Sequence, residues 1–540
     1  MDIIVLLKEK LLDALNKNNI KACLDDIVIE HSKDPSHGDY ASNVALKFSK
    51  QFPIKNPREA ANLIVSNLDM EGLEKVEIAG PGFINFFMKQ DSLTPIVKKI
   101  IENGDNYGQG EKKNKKVNVE FVSANPTGIL HVGTARGAAY GDSLARILNF
   151  AGYDVIKEYY INDAGNQIYN LAISIFARYK ELFGQVCELP EDGYHGQDII
   201  DIAMQIKEEI GDKALTMDDP ISYFKEKGIA IELERIKKDL KDFRVTFDVF
   251  SSEKVIRANQ AVEKELEYLK EHTYKDGDAT VLKTTDYLDD KDRVIVKSNG
   301  DYTYFLPDIV YHVNKMSRGF DLLIDVLGAD HHGYVNRMKS ALMMHGYDKD
   351  SLDIELIQMV RFLKDGVEIK ASKRTGNAIT LRETCEEVGV DAMRYFFAMR
   401  NPSGHLDFDM DLAVEQSSNN PVYYAQYAHA RLCSILDSGK DIPLDIDAKS
   451  LEKESENNIL KHLANFPNVI NDAAKEKAPY RITNYIHELA ELIHAFYNEC
   501  RVIDRDNIAL SGSRLALCKA CQQVLNNALN VIGVSAPTHM

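Results

Sequence analysis

The segment VNVEFVSANPTGILHVGT, residues 117–134, has the pattern of a strand, a turn and the start of a helix. Its first six residues alternate like a β-strand, a turn-rich stretch follows, and a helical pattern then runs from about His131 to Ala151. Gly152 ends that helix, and a second strand-like run begins at once, at residues 155–161. Strand, helix and strand in this order predict a βαβ unit with parallel strands and a right-handed crossover.

The flanking sequence predicts an α/β protein with additional domains on both sides of this unit. The first 110 or so residues mix helical patterns with the strand-like run VEIAGPGFINFFM, and a polar stretch typical of a linker follows. Residues from about 170 to 275 are mostly helical and charged, as expected of an insertion beside the sheet. Strand-like runs at 293–297 and 321–326 predict that the sheet resumes there. From about 415 onward the pattern is helical only.

Length and charge favour a globular protein of several domains and disfavour one that coats nucleic acid. A chain of 540 residues with 44% hydrophobic and 27% charged residues is expected to form two to four globular domains. A net charge of −18 argues against non-specific coating of nucleic acid, which needs concentrated Lys and Arg. A local basic cluster could still contact RNA, although such a run is more often a solvated surface. The candidate cluster is Lys112, Lys113, Lys115 and Lys116.

Cysteine usage and hydropathy predict a cytoplasmic protein. The seven cysteines are odd in number and lack framework spacing, which favours a reducing compartment. The N-terminus does not resemble a cleavable leader, and no stretch approaches membrane-spanning length. Cys518 and Cys521 form the only CxxC pair, but both lie on the apolar stripe of the last helical pattern. We therefore expect them to pack in a core, and we expect no zinc site.

The turn after the first strand of the βαβ unit is the first candidate site. Ligands of open α/β sheets bind at the carboxyl ends of the strands, where backbone N–H groups at a helix start favour phosphate. His131 and Thr134 would project from one face of that helix start, and Gly133 would leave room for a flat ring against the backbone. A lone His at a helix start is, however, more often a cap or a surface residue. The chain has no Gly-x-x-x-x-Gly-Lys-Ser/Thr phosphate loop.

A basic segment, KASKRTGN at residues 370–377, is the second candidate site. It brings three cations and a turn signal together, directly after a hairpin-like Lys364-Asp365-Gly366. A mobile basic loop can stabilise a pyrophosphate leaving group as its charge develops. By itself such a loop is more often solvated surface, but two phosphate-handling segments in one chain favour the functional interpretation.

The two segments resemble the signatures of class I aminoacyl-tRNA synthetases: residues 131–134 resemble the HIGH motif, and residues 370–374 resemble the KMSKS motif. Around them the chain is similar to arginyl-tRNA synthetases in particular, over its whole length. The strings that carry this resemblance are HGDYASNVAL at 37–46, SANPTG at 123–128, YYINDAGNQ at 159–167, YTYFLPDIVYH at 302–312, GADHHGY at 328–334, HLDFDMDLA at 405–413, NNPVYYAQYAHAR at 419–431 and the terminal VSAPTHM. Two positions depart from the motifs: Thr134 replaces the second His of HIGH, and Ala371 replaces the Met of KMSKS.

The resemblance implies a domain plan. It places an N-terminal α+β domain that contacts tRNA at residues 1–112 and a Rossmann-like parallel-sheet catalytic domain at 113–385, with the helical insertion around 170–275. A connecting segment would span 386–415, and an all-α helical bundle that binds the anticodon would span 416–540.

The resemblance also implies roles for individual residues. The catalytic group would be His131, Thr134, Lys370, Ser372 and Lys373, with Lys373 stabilising the departing pyrophosphate. The loop against ATP would comprise Ala124, Asn125, Pro126, Thr127, Gly128, Ile129, Leu130, Val132 and Gly133. The arginine pocket would comprise Glu120, Asn125, Glu253, Tyr304, Asp308 and His331.

Within that pocket, carboxylates suit the fork geometry of a guanidinium, a role the resemblance gives to Asp308 with Glu253. Tyr304 would stack on the substrate, and Glu120, Asn125 and His331 would hold its amino and carboxylate end. The implied reaction consumes ATP with Mg²⁺, forms arginyl-adenylate and transfers arginine to its tRNA. The implied protein is a monomer, and Tyr423, Tyr424 and Tyr427 are candidates for stacking on unpaired tRNA bases.

Other readings of the sequence stay open. One is a different class I synthetase, such as the cysteinyl type, which the lack of zinc-ligand cysteines disfavours. Another is a small HIGH-bearing nucleotidyltransferase, which the long helical C-terminus disfavours. A third, motivated by Thr134 and Ala371, is a tRNA-binding relative without catalysis. Arginine- and tRNA-dependent exchange of pyrophosphate into ATP discriminates among them.

Overall fold

A computed structural model describes residues 3–32, 35–189, 191–369 and 379–540. The N-terminal region is an α+β unit, as expected. Its helices and strands are α1 (Ile3–Lys17), β1 (Glu30–His31), β2 (Tyr40–Ser42), α2 (Val44–Phe48), α3 (Pro57–Ser66), β3 (Leu73–Ala79), β4 (Phe83–Met88) and α4 (Pro95–Asn103). The strands form an antiparallel sheet in the order β1-β2-β4-β3, and the run VEIAGPGFINFFM supplies the β3–β4 hairpin.

The predicted βαβ unit is confirmed. It consists of β5 (Lys116–Glu120), α5 (Ala135–Phe150) and β6 (Asp154–Ile161), and β5 pairs with β6 in parallel. Gly152 ends the helix with a φ of +95°, and a Cβ at this position would lie 1.9 Å from the carbonyl oxygen of Glu111. Only glycine therefore fits the tight return from α5 to β6.

The following region completes the central sheet and adds helices around it. Its elements are α6 (Asn166–Glu181), α7 (Gln197–Ile210), α8 (Pro220–Asp242), β7 (Val249–Ser252), α9 (Glu253–Ile256), α10 (Ala261–Tyr268), β8 (Thr273–Asp276), β9 (Ala279–Leu282), β10 (Arg293–Val296), α11 (Phe305–Ser317), β11 (Leu322–Gly328), α12 (Val335–Met344) and β12 (Leu352–Ile357). In the described residues the sheet has the order β12-β11-β5-β6-β7, and every pairing in it is parallel.

Two strands lie elsewhere than the sequence pattern predicted. β7 falls inside the stretch expected to be a helical insertion, yet it forms one edge of the central sheet. β10 was expected to rejoin that sheet, but it pairs antiparallel with β9 in a separate small sheet. The second expectation was wrong because an apolar run such as RVIV identifies a strand without identifying its partner. The run at β11 does rejoin the central sheet, as predicted.

The helices of the insertion, α6, α7 and α8, pack around a core of their own. Leu171, Ile175, Ile199, Ile202 and Phe224 are all fully buried in it. This separate core agrees with the expectation that the chain leaves the sheet here to build an additional layer.

The last third of the chain begins with a small sheet and continues with helices. Its elements are β13 (Val360–Lys364), β14 (Val367–Glu368), α13 (Leu381–Val388), α14 (Val390–Ala398), β15 (Leu406–Asp409), α15 (Met410–Val414), α16 (Pro421–Ser438), α17 (Glu454–Glu476), α18 (Tyr480–Glu499) and α19 (Ile508–Val531). The predicted hairpin at Lys364 is the β13–β14 pair. Cys518 and Cys521 are buried on α19, as predicted.

The polar stretch predicted to be a linker is packed against the C-terminal helices. Tyr107 is buried, and its hydroxyl donates to the carbonyl of Leu463 over 2.8 Å. The amide of Asn527 donates to the carbonyls of Gly104 and Tyr107 over 3.0 and 3.1 Å. The connection between the N-terminal unit and the central sheet therefore also anchors the C-terminal bundle.

Candidate active site

The carboxyl ends of the central parallel strands bring most of the predicted pocket residues to one edge of the sheet. Glu120 ends β5, Glu253 follows β7 directly, and His331 lies in the turn after β11. Asp308 joins them from the first turn of α11. This is the edge where open α/β sheets bind ligands.

The ring of Tyr160, which was not among the predicted site residues, lies near these acids. Burial first, and then the charges of Glu253, Asp308 and Glu120, raise the pKa of the Tyr160 hydroxyl. The Tyr160 ring packs on Tyr311 with 4.7 Å between the centroids. Tyr160 thus lies close to all three carboxylates, and the two tyrosines form an aromatic wall of the pocket.

Glu120 is held by bonds to both of its carboxylate oxygens. The hydroxyl of Ser123 donates to Oε1 over 3.0 Å, and the ammonium of Lys315 bonds to Oε2. The turn after the strand is strained, because Val122 and Ser123 have φ values of +68° and +40°, which non-glycine residues rarely adopt. Backbone strain of this kind concentrates at functional sites.

Asp308 is half-buried, and its protonation depends on its neighbours. Burial raises its pKa to about 6; His312 opposes this shift, Glu120 and Glu253 add to it, and the hydroxyl of Tyr334 lowers it by donating a hydrogen bond. The carboxylate is therefore charged at neutral pH but close to its titration. A cation bound beside it would be favoured by the surrounding negative charge.

Glu253 already has a cationic partner on its own helical turn. The guanidinium of Arg257 donates to Oε1 over 2.9 Å, and burial raises the pKa of Glu253. Asp163 organises this turn, since it accepts from the Ser252 hydroxyl over 2.6 Å and from the Lys254 backbone N–H over 2.9 Å. Asp163 belongs to the YYINDAGNQ string but was not among the predicted site residues.

Three predicted pocket residues lie on the rim. Tyr304 is 88% exposed and stands one turn before Asp308, whose N–H donates to the Tyr304 carbonyl over 3.3 Å. His331 is exposed, and its ring lies nearly perpendicular to the Tyr334 ring, with 6.5 Å between the centroids. The Asn125 amide donates to Gln167 over 2.6 Å. In the part of the chain that the structure describes, no aromatic ring packs on Tyr304, and its stacking on a substrate stays a prediction.

The first signature lies beside the same sheet edge and begins α5. The backbone N–H of Gly133 donates to Nδ1 of His131 over 2.8 Å, and the Thr134 hydroxyl donates to the His131 carbonyl over 2.7 Å. Desolvation lowers the pKa of His131, so its ring is neutral at pH 7. A Cβ on Gly133 would lie 2.9 Å from His131 Nδ1, so a glycine lets the ring fold over the turn.

The loop assigned to ATP contains both accessible and buried residues. Pro126, Leu130 and Val132 are buried, so their side chains pack inward and they can offer a ligand only backbone groups. Ile129 and Gly133 are exposed. The partly exposed members are Ala124, Asn125, Thr127 and Gly128.

The chain that follows the second signature is bound to the first. The N–H of Val132 donates to the Ile379 carbonyl, and the N–H of Leu381 donates to the Leu130 carbonyl, each over 2.9 Å. Thr380 then caps α13 through a reciprocal bond with Glu383. Lys370, Ser372 and Lys373 lie outside the described residues, but Thr380, three residues after that segment, forms an antiparallel β-bridge with His131.

The C-terminal bundle presents an aromatic and basic surface on α16 and α18. Tyr423 and Tyr427 stack with 6.1 Å between ring centroids, and His494 stacks on Tyr427. The guanidinium of Arg431 lies 3.7 Å from the centroid of Tyr497. Tyr427 is exposed, whereas Tyr423 and Tyr424 are half-buried. A stacking platform with a cation beside it is suited to unpaired bases.

The basic cluster at residues 112–116 has the character of a solvated surface. All of its lysines are exposed. Lys113 contacts Asn471 over 3.3 Å and lies 4.5 Å from the centroid of the Tyr153 ring, so it also joins the sheet domain to α17.

Among the described residues, none of the helices combines the length and the apolar character needed to span a membrane.

Comparisons with known proteins match every region of the chain. Residues 5–88 match the family model "Arginyl tRNA synthetase N terminal domain", residues 96–434 match "tRNA synthetases class I (R), catalytic domain", and residues 425–540 match "DALR anticodon binding domain". The chain is 50% identical to the Arginine--tRNA ligase of Bacillus subtilis, over 99% of this chain and 98% of that protein. The relative from Bacillus cereus matches equally well, at 50% identity over the same shares of the two chains.

Solved structures give the same result. A putative arginyl-tRNA synthetase from Campylobacter jejuni superposes with a TM-score of 0.77 at 35% identity, over 84% of this chain and all of that one. The Thermus thermophilus arginyl-tRNA synthetase also gives 0.77, at 21% identity and over 99% of both chains. At that lower identity the match shows the fold alone.

Proposed function

The chain belongs to the arginyl-tRNA synthetase family, and from this premise we propose how its residues activate and transfer arginine. As a member of this family it is an arginine–tRNA ligase. It joins arginine to ATP as arginyl-adenylate, releases pyrophosphate and passes arginine to the 3′ end of its tRNA. The observation that carries the assignment of the pocket is the meeting of Glu120, Asp308 and Glu253 around Tyr160, beside the helix start of the first signature.

The guanidinium of arginine binds at Asp308. This carboxylate lies in a half-buried pocket with two further acids nearby, and a charge-assisted pair is stronger where solvent is excluded. Tyr304 closes over the guanidinium from the rim. Glu253, which accepts a hydrogen bond from Arg257, adds negative charge near Asp308. Glu120 and Asn125 take the amino and carboxylate end, with His331 at the edge of the pocket.

ATP binds across the turn after β5, with its phosphates at the start of α5. There the neutral His131 and the helix start face the α-phosphate, which the arginine carboxylate attacks. Mg²⁺ enters with ATP as the counter-ion of its phosphates. Lys373, with Lys370 and Ser372, stabilises the pyrophosphate as it leaves. The anchoring of residues 379–381 to residues 130–132 supports this role, because it holds the chain that follows the basic segment beside the proposed ATP site.

Catalysis then consists of positioning and charge stabilisation. The adenylate forms when the carboxylate oxygen bonds to the α-phosphorus and the bond to pyrophosphate breaks. The terminal ribose hydroxyl of tRNA next attacks the carbonyl carbon and AMP departs. No covalent enzyme intermediate is required.

Thr134 and Ala371 retune this site without abolishing it. The Thr134 hydroxyl donates its hydrogen bond to the His131 carbonyl, which stabilises the start of the helix. The hydroxyl oxygen of Thr134 can still accept a hydrogen bond. A non-catalytic tRNA-binding protein is the second candidate function, and these two substitutions are the observation that motivates it. Activity of the wild-type enzyme in the exchange assay separates the two.

We assign the tRNA contacts to both ends of the chain. The surface formed by Tyr427, Arg431 and Tyr497 would stack unpaired anticodon bases, and the N-terminal unit would contact the body of the tRNA. We further propose that the enzyme works as a monomer in the cytoplasm. Charging assays with an anticodon-substituted tRNA test the first assignment, since a large rise in the KM for that tRNA is expected.

A further inference from the structure

A buried lysine lies beneath the arginine pocket and takes no part in the mechanism above. Lys315 is on α11, two helical turns after Asp308, and its side chain has no exposed surface. Its ammonium bonds to Glu120 and donates to Oδ1 of Asp325 over 2.8 Å. It also lies 4.5 Å from the centroid of the Tyr311 ring. A lone buried ammonium is costly, so two carboxylates and an aromatic face are the partners that make it tolerable.

Asp325 connects this lysine to the turn that carries Asp308. Its other oxygen, Oδ2, lies 2.6 Å from Nε2 of His312, and Nδ1 of His312 lies 2.7 Å from the backbone carbonyl of Asp308. A carbonyl accepts only, so Nδ1 carries a proton, and a carboxylate at Nε2 favours a second one. These partners favour the imidazolium form of His312, and the Asp325 carboxylate raises the pKa of this histidine against the effect of burial.

The result is a continuous chain from one end of the substrate site to the other. It runs from Glu120 through Lys315, Asp325 and His312 to the backbone of Asp308, and every link includes a charged group. Glu120 and Asp308 are the acids that the proposed function assigns to the amino and guanidinium ends of arginine. Their separation is thus set by buried ionic bonds and not by the packing of β5 and α11 alone.

Resting on that proposed function, we propose that Lys315 is a positioning and specificity-determining residue for arginine. Through Glu120 on one side and Asp325 with His312 on the other, it fixes the distance between the Glu120 carboxylate and the backbone of Asp308. The pocket consequently selects substrates by the distance between their α-amino group and their guanidinium. Homoarginine, which is one methylene longer, is rejected because the Glu120 carboxylate and the backbone of Asp308 are held at a fixed separation.

The test uses the full-length enzyme with tRNA and compares Lys315→Met with wild type in pyrophosphate exchange. We expect the KM for arginine to rise about tenfold or more, because Glu120 loses its cationic partner at Oε2 and keeps the Ser123 hydroxyl at Oε1. The KM for ATP should stay within about twofold. The preference for arginine over homoarginine, as the ratio of kcat/KM values, should fall several-fold.

Arg394→Met is the matched control. Arg394 is also fully buried and bonds to Asp142 over 2.6 Å, but it lies between α14 and α5, and Asp142 keeps Arg146 and Lys157 as partners. A general effect of losing a buried cation should appear in both variants. We expect Arg394→Met to leave the KM for arginine and the preference over homoarginine unchanged.

If Lys315→Met does not fold, the double variant Lys315→Met/Asp325→Asn removes one anion with the cation and should show the same pattern. Equal rises in the KM values for arginine and ATP, or an unchanged preference over homoarginine, would overturn the proposal. A wild-type enzyme without arginine-dependent exchange would instead overturn the proposed function, and this inference with it. A normal Lys315→Met enzyme beside an active wild type would remove this inference alone.

Discussion

Replacing Asp308 by Asn removes the charge that is assigned to the guanidinium while it keeps nearly all of the local structure. The amide has the same size, its oxygen can still accept from Tyr334, and His312 bonds to the backbone of residue 308 and not to its side chain. A charge-assisted bond to guanidinium contributes about 1.5 to 3 kcal/mol. The KM for arginine should therefore rise about 10- to 150-fold, with the KM for ATP nearly unchanged.

The same substitution should make the folded enzyme more stable. Asp308 has a pKa of about 6, against an ordinary value of 3.8. A carboxyl with a raised folded pKa costs folding free energy wherever it is ionised, at about 1.4 kcal/mol per pKa unit. Asn cannot ionise, so it should gain about 2 to 3 kcal/mol above pH 6. The gain should shrink as the pH falls from 6 towards 4, because the wild-type carboxyl is then protonated as well.

The assay is arginine titration of pyrophosphate exchange at saturating ATP and tRNA, together with thermal unfolding at pH 8 and at pH 5. An unchanged KM for arginine would remove Asp308 from the pocket. Equal rises in the KM values for arginine and ATP, together with a lower unfolding midpoint at pH 8, would indicate a folding defect. That result would contradict both the predicted effect on arginine binding and the predicted gain in stability.

Two further predictions concern the same site. The kcat/KM for arginine should fall about tenfold per pH unit below pH 6, because protonation of Asp308 removes the counter-charge while arginine stays protonated; a wild-type profile that is flat from pH 8 to pH 5 would contradict this. Lys373→Ala should slow adenylate formation about 10²- to 10³-fold, or roughly 3 to 4 kcal/mol, with a smaller effect on the KM for ATP. Single-turnover kinetics would count against the latter if activation stayed normal and transfer from preformed adenylate became slow.

The sequence was most informative where local pattern and tertiary contact coincide. The alternation before Ser123 and the helical period after His131 predicted the βαβ unit, because parallel strands joined by a helix have few alternatives. The site residues Glu120 and Asp308 were named from the resemblance, and the structure brings them near each other at the expected sheet edge. Their roles in catalysis stay predictions.

The remaining features depend on contacts that no local pattern contains. Val249–Ser252 is a short edge strand between helices, and four residues carry too little periodicity to stand out. Lys315 looks like any charged residue of a surface helix, and only the packing of α11 against β5 and β11 shows that it is buried between two acids. Tyr160 belongs to a strand that was predicted correctly, but which of its faces meets the pocket depends on α11.

Pyrophosphate exchange by the wild-type protein tests most directly whether this protein activates arginine. Labelled pyrophosphate should enter ATP when arginine and arginine tRNA are both present. By the resemblance to synthetases that need tRNA to complete the activation site, exchange should be nearly absent when either is withheld. Exchange without tRNA would remove only that coupling. Robust exchange with cysteine, glutamate or glutamine in place of arginine, or tRNA binding with no exchange at all, would contradict the central claim.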